Sequence, residues 1–233
     1  MKLSVVVPAH NEEENIVEVI SSIEDSLTGI EHELVVVNDH SQDKTAELTA
    51  GLAARYNNVR PVENRNACGF ANALKTGFAA ADGEAVIPVM ADLCDDLSTI
   101  KKMLEKMDEG YDIVCGSRYI EGGTRLGGSK LKGFLSSLAG HSLYWLLGIP
   151  THDIANAFKI YKRRVLDAIN IEASGFEISM EIPLKAFYLG FKITELPTVW
   201  RERQKGKSSF KMFKLLPRYL NFYLRAILKR FTR

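Results

Sequence analysis

One stretch of the sequence ends an apolar run abruptly in acidic side chains. Residues 85–96 read Ala-Val-Ile-Pro-Val-Met-Ala-Asp-Leu-Cys-Asp-Asp, so three carboxylates follow a run that is typical of a buried parallel strand. Ligands of open α/β sheets bind where such strands end, and carboxylates placed there hold metals or polar ligands. Asp92 is nearest the strand end and is the candidate metal ligand, whereas Asp95 and Asp96 are expected to open the next helix.

Three other polar side chains, Glu12, Asp39 and Arg118, also follow short apolar runs. These runs alternate with segments of helical periodicity, which predicts an α/β fold with a mostly parallel central sheet flanked by helices. Because the carboxyl ends of parallel strands share one edge of the sheet, these three side chains and Asp92 are expected to line one crevice. Ser41 is the expected N-cap of the helix after the second strand.

The second half of the chain differs in composition. Residues 122–130 are rich in glycine and carry basic side chains, as in a loop that closes over a phosphate-bearing ligand or in an ordinary surface loop. An apolar helix at 131–147 follows and carries Lys132 and Ser136. A final strand at 191–196 is expected to end the compact part.

The net charge of +1 hides a strong asymmetry. Residues 201–233 hold eleven Lys or Arg and one Glu, so this segment carries +10 and the remainder −9. Leucines and aromatic residues separate the cations, as in a helix that lies in a membrane interface, and this spacing argues against nucleic-acid binding. A helix packed on the body or on a partner is the alternative. The expected basic stripe consists of Lys211, Lys214, Arg218, Asn221, Arg225 and Lys229.

Composition favours an ordinary globular protein, with 46% hydrophobic and 25% charged residues. Three cysteines without metal-ligand spacing argue against a disulfide framework and favour a reducing compartment. The apolar stretches are too short or too often interrupted by glycine and charged residues for an export signal or a membrane span. The expectation is a cytoplasmic protein that associates peripherally with a membrane.

Five segments match a known family. They are Val-Val-Val-Pro-Ala-His-Asn-Glu at 5–12, Val-Asn-Asp-His-Ser-Gln-Asp-Lys-Thr at 37–45, Met-Ala-Asp-Leu at 90–93, Gly-Ser-Arg-Tyr at 116–119 and Arg-Gln-Lys-Gly-Lys-Ser at 203–208. Through them the chain resembles the inverting family-2 glycosyltransferases, and within these the polyprenyl-phosphate hexose synthases of the dolichyl-phosphate mannose synthase type. The resemblance implies a Rossmann-like GT-A catalytic domain at 1–203 and a basic amphipathic interfacial tail at 204–233.

The resemblance also implies roles for individual residues. The nucleotide-sugar pocket would contain Pro8, Ala9, Glu12 and Asp39. The groups at the acceptor phosphate and the diphosphate would be Arg118, Lys132, Ser136 and Arg203. Asp92 matches the second acid of an Asp-x-Asp motif that binds Mg²⁺ or Mn²⁺.

The chain departs from the family pattern in several places, among them Lys132, where the family more often has arginine. Met90 stands where the metal motif has its first acid, and a thioether is a poor ligand for Mg²⁺ or Mn²⁺. Cys94 stands where mannose synthases usually carry glutamine. Asp153 matches the aspartate of an Asp-x-Thr-Ser-Gly segment whose last two residues differ here. Metal binding would therefore rest on Asp92 and the diphosphate, with Asp95 as a further candidate.

The resemblance implies inverting transfer of a hexose from a nucleotide diphosphate-sugar, of the GDP-mannose or UDP-glucose type, to a dolichyl or undecaprenyl phosphate at the cytoplasmic membrane face. Such a phosphate is largely a dianion at neutral pH and needs no general base. One alternative is transfer to a glycan hydroxyl, with Asp153 or another carboxylate as base. The other is a catalytically silent nucleotide-sugar-binding homologue in a membrane complex, for which Met90 argues. A membrane-protein partner is a further expectation.

Overall fold

A computed structural model of the chain describes residues 1–203, 205 and 212–231. Part of the predicted tail therefore lies outside the described residues, including most of the segment matched at 203–208 and the predicted stripe residue Lys211. The same holds for the side chain of Lys214.

The described part of the chain alternates strands and helices as the sequence predicts. In chain order the elements are β1 (Leu3–Ala9), α1 (Ile16–Ser26), β2 (His32–Asn38), α2 (Thr45–Arg55), β3 (Val59–Glu63), α3 (Phe70–Ala80), β4 (Ala85–Pro88), α4 (Thr99–Asp108), β5 (Ile113–Ser117), β6 (Thr124–Leu126), α5 (Lys130–Leu147), β7 (Lys159–Lys162), α6 (Arg163–Ala168), α7 (Ile178–Tyr188), β8 (Ile193–Pro197), β9 (Val199–Arg201) and α8 (Met212–Phe231).

Seven strands form the central sheet, in the order β3-β2-β1-β4-β7-β5-β8. All pairings in this sheet are parallel except those of β7, which runs antiparallel to β4 and to β5. The predicted α/β fold with a mostly parallel sheet is thus confirmed. Because β4 and β5 run in the same direction on either side of β7, their carboxyl ends still reach the same edge as those of β1 and β2.

Both faces of the sheet are covered, which explains why its strands read as continuous apolar runs. On β1, Val5 belongs to a core cluster with Ile20 of α1, whereas the next residue, Val6, belongs to a second cluster with Leu74 and Phe78 of α3. Alternate side chains therefore anchor helices on opposite faces, and both layers hold the strand ends in place.

Strand β7 was not predicted, because its short sequence Lys-Ile-Tyr-Lys resembles neither a buried nor a half-buried strand. Lys159 is nevertheless fully buried. Its Nζ donates to the backbone carbonyls of Ile154, at 3.0 Å, and Asn156. These hydrogen bonds compensate the buried amine and fold the loop before β7 against the sheet edge.

The glycine-rich segment at 122–130 is not only a loop. Residues Thr124–Leu126 form β6, which pairs in parallel with β9 in a small second sheet. Arg125 stacks its guanidinium 4.9 Å from the centre of the Trp200 ring. Trp200 also forms an isolated β-bridge with Asp95. This segment is therefore tied to the stretch that carries the acidic residues.

Two predicted helix starts are wrong. Helix α2 begins at Thr45 with Lys44 at the N-cap, and Ser41 instead accepts a hydrogen bond from the Asn11 N–H at 3.1 Å. Helix α4 begins at Thr99, so Asp95 and Asp96 precede it by a short turn. The preference of helix starts for capping and acidic residues did not predict these two starts correctly, because contacts between the loops at neighbouring strand ends compete with capping.

Helix α8 packs one face on α5 and α7. Tyr219, Phe222, Tyr223 and Ile227 contact a core cluster that includes Leu143 and Leu184. These three aromatic residues, which the sequence pattern assigned to a membrane interface, are therefore turned towards the body. Among the side chains that the structure describes, the large exposed apolar residues of α8 are Leu216, Leu220, Leu224, Leu228 and Phe231.

The basic stripe of α8 also contacts the body. Arg225 Nη1 lies 3.2 Å from an oxygen of Glu172, and Lys229 Nζ lies 4.8 Å from the centre of the Tyr188 ring. None of the helices in the described part of the chain combines the length and apolarity that a membrane crossing requires.

The contact between α3 and the sheet provides a test of this packing. A Cβ atom added at Gly77 would overlap Cγ1 of Val6, whereas one added at Gly51 of α2 would meet no atom within 4 Å. We expect Gly77→Ala to lower the free energy of unfolding by about 1–3 kcal/mol. Gly51→Ala should raise it by about 0.5–1 kcal/mol. Denaturant unfolding of both variants measures the difference, and equal values would contradict the packing.

Candidate active site

Two cavities adjoin at the carboxyl edge of the central sheet. The larger, of 760 Å³, lies beyond β1 and β2, and the smaller, of 370 Å³, lies between β4, β5 and α5. Met90, Phe176 and Arg203 line both cavities and mark the boundary between them. The predicted residues of the larger cavity are Pro8, Ala9, Glu12 and Asp39, and those of the smaller are Asp92, Arg118, Lys132, Ser136 and Arg203. All nine predicted residues therefore line this site.

Three strand ends leave the sheet through residues with left-handed backbone conformations. Asn11, His40 and Leu93 have φ angles of 54°, 58° and 57° and follow β1, β2 and β4. Leucine rarely adopts this conformation, which costs of order 1–3 kcal/mol and is concentrated at functional sites. At Leu93 the turn lets the Cys94 N–H donate to Asp92 Oδ1 at 3.2 Å, so the backbone itself orients this carboxylate.

In the larger cavity, Asp39 is held in a fixed orientation. Asn64 Nδ2 donates to its Oδ1 at 2.6 Å, and the Gly69 N–H donates to its Oδ2 at 2.9 Å. The residue is buried, yet its side chain borders the cavity. A carboxylate has further lone pairs, so Asp39 can accept hydrogen bonds from a ligand without rearranging. Phe70 and Phe176 stack nearby at 4.5 Å between ring centres.

An ion pair joins the end of the first strand to Arg203. Arg203 Nη2 donates to both carboxylate oxygens of Glu12, at 2.8 and 2.9 Å, and Asn15 Nδ2 donates to the same carboxylate at 2.8 Å. Burial alone would lower the pKa of Arg203, but its hydrogen bonds and charge interaction with Glu12 raise it. The sequence analysis placed these two residues in different subsites, and the structure pairs them at the boundary.

In the smaller cavity, Arg118 is paired with a fully buried Asp153. Its Nε donates to Asp153 Oδ2 at 2.6 Å and its Nη2 to Oδ1 at 2.8 Å, while the Arg118 N–H donates at 3.0 Å. Nη2 also donates to Ser136 Oγ at 3.3 Å. Burial alone would lower the pKa of Arg118, but the Asp153 carboxylate raises it. Arg118 is therefore a permanent cation in a fixed orientation.

This pairing changes the interpretation of Asp153. Both of its oxygens accept hydrogen bonds from Arg118, and its side chain has no exposed surface. A general base must reach the proton that it removes. Asp153 is therefore unsuited to act as a base, and its role in this structure is to position Arg118.

Helix α5 presents Lys132 and Ser136, one turn apart, to the smaller cavity. Ser129 caps the helix by accepting a hydrogen bond from the Lys132 N–H at 3.4 Å. Tyr119, which follows Arg118, donates from its hydroxyl to the Gly133 carbonyl at 3.2 Å. The turn after β5 and the start of α5 are thus fastened together, so that a guanidinium, an ammonium and a hydroxyl converge on the cavity.

Asp95 does not lie at the helix start that the sequence analysis expected for it. Its Oδ2 is enclosed and has no hydrogen-bond partner among the described residues. Burial and, next, the charge of Asp92 raise its pKa to about 7. Asp96, by contrast, accepts hydrogen bonds at Oδ1 from the N–H and hydroxyl of Ser98 before α4. The helix start that the sequence suggested for both residues applies to neither.

The donor set at this point suits a hard divalent cation. Asp92 and Asp95 both border the cavity, and the unpartnered oxygen of Asp95 is available as a ligand. Burial strongly raises the pKa of the Cys94 thiol, which leaves it protonated and a poor ligand. Met90 offers only a thioether. Oxygen ligands are the ones that Mg²⁺ and Mn²⁺ prefer, so the two carboxylates fit such an ion.

Comparison with solved structures supports the fold. A glucosyl-3-phosphoglycerate synthase from Mycobacterium tuberculosis, crystallised with Mn²⁺, uridine diphosphate and glucosyl-3-phosphoglycerate, superposes with a TM-score of 0.74. The match covers 97% of this chain and 80% of that chain, at 22% sequence identity. Identity at this level bears on the fold alone.

Curated relatives are closer in sequence. The chain is 32% identical over 215 residues to a dolichol-phosphate mannosyltransferase of Pyrococcus furiosus. This alignment covers 91% of this chain and 60% of the relative. It is 29% identical over 211 residues to a polyprenol monophosphomannose synthase of Mycolicibacterium smegmatis, covering 88% and 79% of the two proteins. The chain thus spans about three fifths of the length of the Pyrococcus protein.

The family assignment rests on a match over most of the chain. The model of glycosyl transferase family 2 matches residues 4–169, a range that contains the carboxyl ends of β1, β2, β4 and β5. The site residues Glu12, Asp39, Asp92 and Arg118 all fall within it. The GT-A resemblance inferred from the sequence is confirmed, and the chain belongs to glycosyl transferase family 2.

Proposed function

We propose that this glycosyltransferase moves a hexose from a nucleotide diphosphate-sugar to a polyprenyl phosphate and inverts the anomeric centre. The observation that carries the proposal is the anion site of the smaller cavity, where Arg118, Lys132 and Ser136 converge beside the boundary with the larger cavity. The names of the two curated relatives, a dolichol-phosphate mannosyltransferase and a polyprenol monophosphomannose synthase, support the same acceptor class.

The acceptor phosphate would bind in the smaller cavity. A phosphate monoester is largely a dianion at neutral pH, because its second pKa is about 6. Its oxygen can attack without losing a proton, so the chain has only to hold it in place. Arg118 offers a fixed cation, Lys132 a mobile one, and Ser136 a hydroxyl donor. Such a reaction needs no general base, which agrees with the pairing of Asp153 with Arg118.

The donor would bind in the larger cavity, with its nucleoside against Pro8, Ala9 and Asp39. Its diphosphate would reach the boundary at Arg203, next to Asp92. The two cavities meet there, so the acceptor oxygen and the departing diphosphate would lie on opposite sides of the anomeric carbon. In-line attack with this arrangement inverts the anomeric centre.

We also propose that Asp92 and Asp95 hold a Mg²⁺ or Mn²⁺ ion. Such an ion neutralises charge on a departing diphosphate. The structurally similar Mycobacterium protein was crystallised with Mn²⁺ and uridine diphosphate, which is consistent with a divalent ion in this fold. The second carboxylate ligand of this chain then comes from Asp95, which follows Asp92 in the sequence, whereas Met90 precedes it.

Two alternatives follow from specific side chains. The raised pKa of Asp95 suits a general base, which supports transfer to a glycan hydroxyl as a second candidate. The presence of Met90 in place of an acid keeps the catalytically silent homologue as a third. An acceptor that lacks phosphate tests the second, and nucleotide binding without turnover would identify the third.

We further propose a peripheral membrane location, with α5 and α8 against the lipid. The exposed apolar residues of α5 are Leu131, Phe134, Leu138, Trp145 and Leu146. They share a helix with Lys132 and Ser136, which face the cavity. Together with the leucine stripe of α8 they form a two-helix apolar surface of the kind that enters a membrane interface. A membrane-protein partner would also bind to this surface.

The transfer reaction itself is the first test. Radiolabelled GDP- and UDP-hexoses should be offered with a short polyprenyl phosphate, with the dephosphorylated polyprenol, and with Mg²⁺, Mn²⁺ or chelator. We expect labelled lipid phosphate from one donor only with metal, and a loss of rate of at least about 100-fold in Asp92→Asn, because transition-state charge stabilisation is lost. Label on the polyprenol, or nucleotide binding without any turnover, would contradict the proposal.

Stability as a function of pH tests Asp95. Its pKa rises from 3.8 to about 7 on folding, so ionisation removes stability as pH increases between about 4 and 7. Asp95→Asn should therefore raise the free energy of unfolding of the metal-free protein at pH 8 by about 1 kcal/mol or more, with no gain at pH 4.

Metal addition completes this test. Mn²⁺ should raise the unfolding temperature of the wild-type protein at pH 8 and have a much smaller effect on Asp95→Asn. Asp96→Asn is the matched control, because Asp96 is bonded to Ser98 and should leave the metal response intact. An equal response of the Asp95 and Asp96 variants would exclude Asp95 as a ligand.

Vesicle binding tests the apolar surface. Replacing Trp145, which is 78% exposed, and Leu224 by Ser should weaken binding to vesicles that contain anionic lipid by at least about tenfold, since each side chain contributes roughly 1.5–3 kcal/mol when buried. Leu189→Ser is the control, because Leu189 is 57% exposed at the end of α7. Co-sedimentation measures the difference, and equal binding of all variants would refute this membrane contact.

A further inference from the structure

A second group of metal-ligating side chains lies in the larger cavity, apart from Asp92 and Asp95. His10 follows β1, Asp39 follows β2 and Cys68 precedes α3. One nitrogen of His10, one carboxylate oxygen of Asp39 and the Cys68 sulfur all lie within 4.8 Å of one another. His10 and Cys68 are exposed and Asp39 is buried, so a cation entering the cavity would meet all three.

Two of the distances in this group are close to those of a tetrahedral metal site. Cys68 Sγ lies 3.8 Å from His10 Nδ1 and 3.6 Å from Asp39 Oδ2. Zinc bonds of about 2.3 Å to sulfur and about 2.0 Å to nitrogen or oxygen, at tetrahedral angles, separate the ligand atoms by about 3.5 Å. These two separations require shifts of only a few tenths of an ångström, and the ligand atoms of His10 and Asp39, which lie within 4.8 Å of each other, would approach on binding. Asp39 is already fixed by Asn64 and Gly69, so the site is partly organised before a metal binds.

The chemistry of the three ligands indicates which ion binds. Thiolate and imidazole select Zn²⁺ over Mg²⁺ and Mn²⁺, which prefer oxygen ligands alone. The all-oxygen pair of Asp92 and Asp95 has the opposite preference. The two groups therefore offer distinct sites to ions of different character.

We propose that His10, Asp39 and Cys68 form a Zn²⁺ site with a fourth position open to water. On binding, Zn²⁺ replaces the thiol proton of Cys68, which passes to solvent. His10 Nδ1 now donates to the Asp39 backbone carbonyl at 2.5 Å. It gives up this hydrogen bond to ligate the metal, and its ring proton moves to Nε2. No oxidant or other reactant is required.

Zinc binding has a consequence for the donor. The Asp39 carboxylate is the group that the proposed function assigns to the nucleoside, so Zn²⁺ and the donor would exclude each other. The exclusion rests on the proposed function, whereas zinc binding itself does not. Zn²⁺ would then act as an inhibitor that competes with the nucleotide-sugar.

Cobalt provides a direct readout, because Co²⁺ occupies zinc sites and reports thiolate ligation by its absorption. We expect the metal-free full chain to bind one Co²⁺ with a thiolate-to-metal charge-transfer band, and Zn²⁺ to displace it. Cys68→Ser should abolish the band and weaken Zn²⁺ binding by more than about tenfold. His10→Asn should weaken Zn²⁺ binding by a similar factor. Persistence of the band and of the affinity in both variants would overturn the proposal.

A matched control and a second readout complete the experiment. His40→Asn removes another exposed histidine at a strand end, which bonds the Asn66 carbonyl at 2.8 Å outside the group, and should leave Zn²⁺ binding unchanged. Of the three cysteines of the chain only Cys68 is exposed, so an alkylating reagent reports on it in the folded protein. Stoichiometric Zn²⁺ should slow its alkylation strongly, and unchanged alkylation would contradict the site.

Competition separates this inference from the proposed function. UDP or GDP, whichever binds, should bind more weakly to the zinc-loaded protein in proportion to the Zn²⁺ concentration. Zinc binding without any effect on nucleotide affinity would overturn the exclusion while leaving the metal site. Failure of sugar transfer with zinc binding intact would count against the proposed function alone, and normal transfer without zinc binding against this inference alone.

Discussion

The buried ion pair between Arg118 and Asp153 is the interaction on which the candidate site depends. Removing two charges from water is costly, and a pair of this kind often contributes little to net stability, whereas loss of one partner costs about 3–5 kcal/mol. Its value here is positional. Asp153 accepts two hydrogen bonds from the guanidinium and one from the Arg118 backbone N–H, and Ser136 accepts another from the guanidinium, so the end of β5 and helix α5 share one fixed cation.

The same pairing limits the charge that the site offers to anions. Asp153 pairs with Arg118, and Glu12 pairs with Arg203, so each of these two lining cations is already opposed by a carboxylate. Asp92 and Asp95 add negative charge close by. A diphosphate and a phosphate bound together there would therefore gain from an additional cation. This electrostatic deficit is an argument for the proposed divalent ion that does not depend on any resemblance, and it agrees with the raised pKa of Asp95.

The sequence predicts the strand ends well because their signal is local. Apolar runs followed by Glu12, Asp39, Asp92 and Arg118 identify both the sheet and the edge at which ligands bind, and parallel strands bring these positions together by geometry. The pairing of Glu12 with Arg203 could not be predicted, because the two residues are 191 positions apart and neither disturbs a local pattern. The orientation of Asp95 likewise depends on the bridge to Trp200 rather than on its helix-start position.

Two other features could not be predicted, because the sequence pattern does not show which side chains are buried. Lys159 makes β7 resemble an exposed segment, although its amine is satisfied by carbonyls of the preceding loop. In α8 the aromatic residues suggest an interface with lipid, but Tyr219, Phe222 and Tyr223 pack on α5 and α7, and leucines with Phe231 form the exposed stripe. Periodicity shows that a helix has distinct faces. It does not show which face meets the protein and which meets something else, since both are apolar.

Helix α5 joins the two halves of the proposed function. Its inner face carries Lys132 and Ser136 into the smaller cavity, and its outer face exposes Phe134 and Trp145. A helix is about 10 Å across, so a phosphate bound at the inner face would lie within about that distance of lipid contacting the outer face. A polyprenyl phosphate has this geometry, with a charged head attached directly to a long apolar chain. A soluble glycan hydroxyl would need neither the cation on one face nor the apolar residues on the other, and their presence on one helix favours the lipid phosphate.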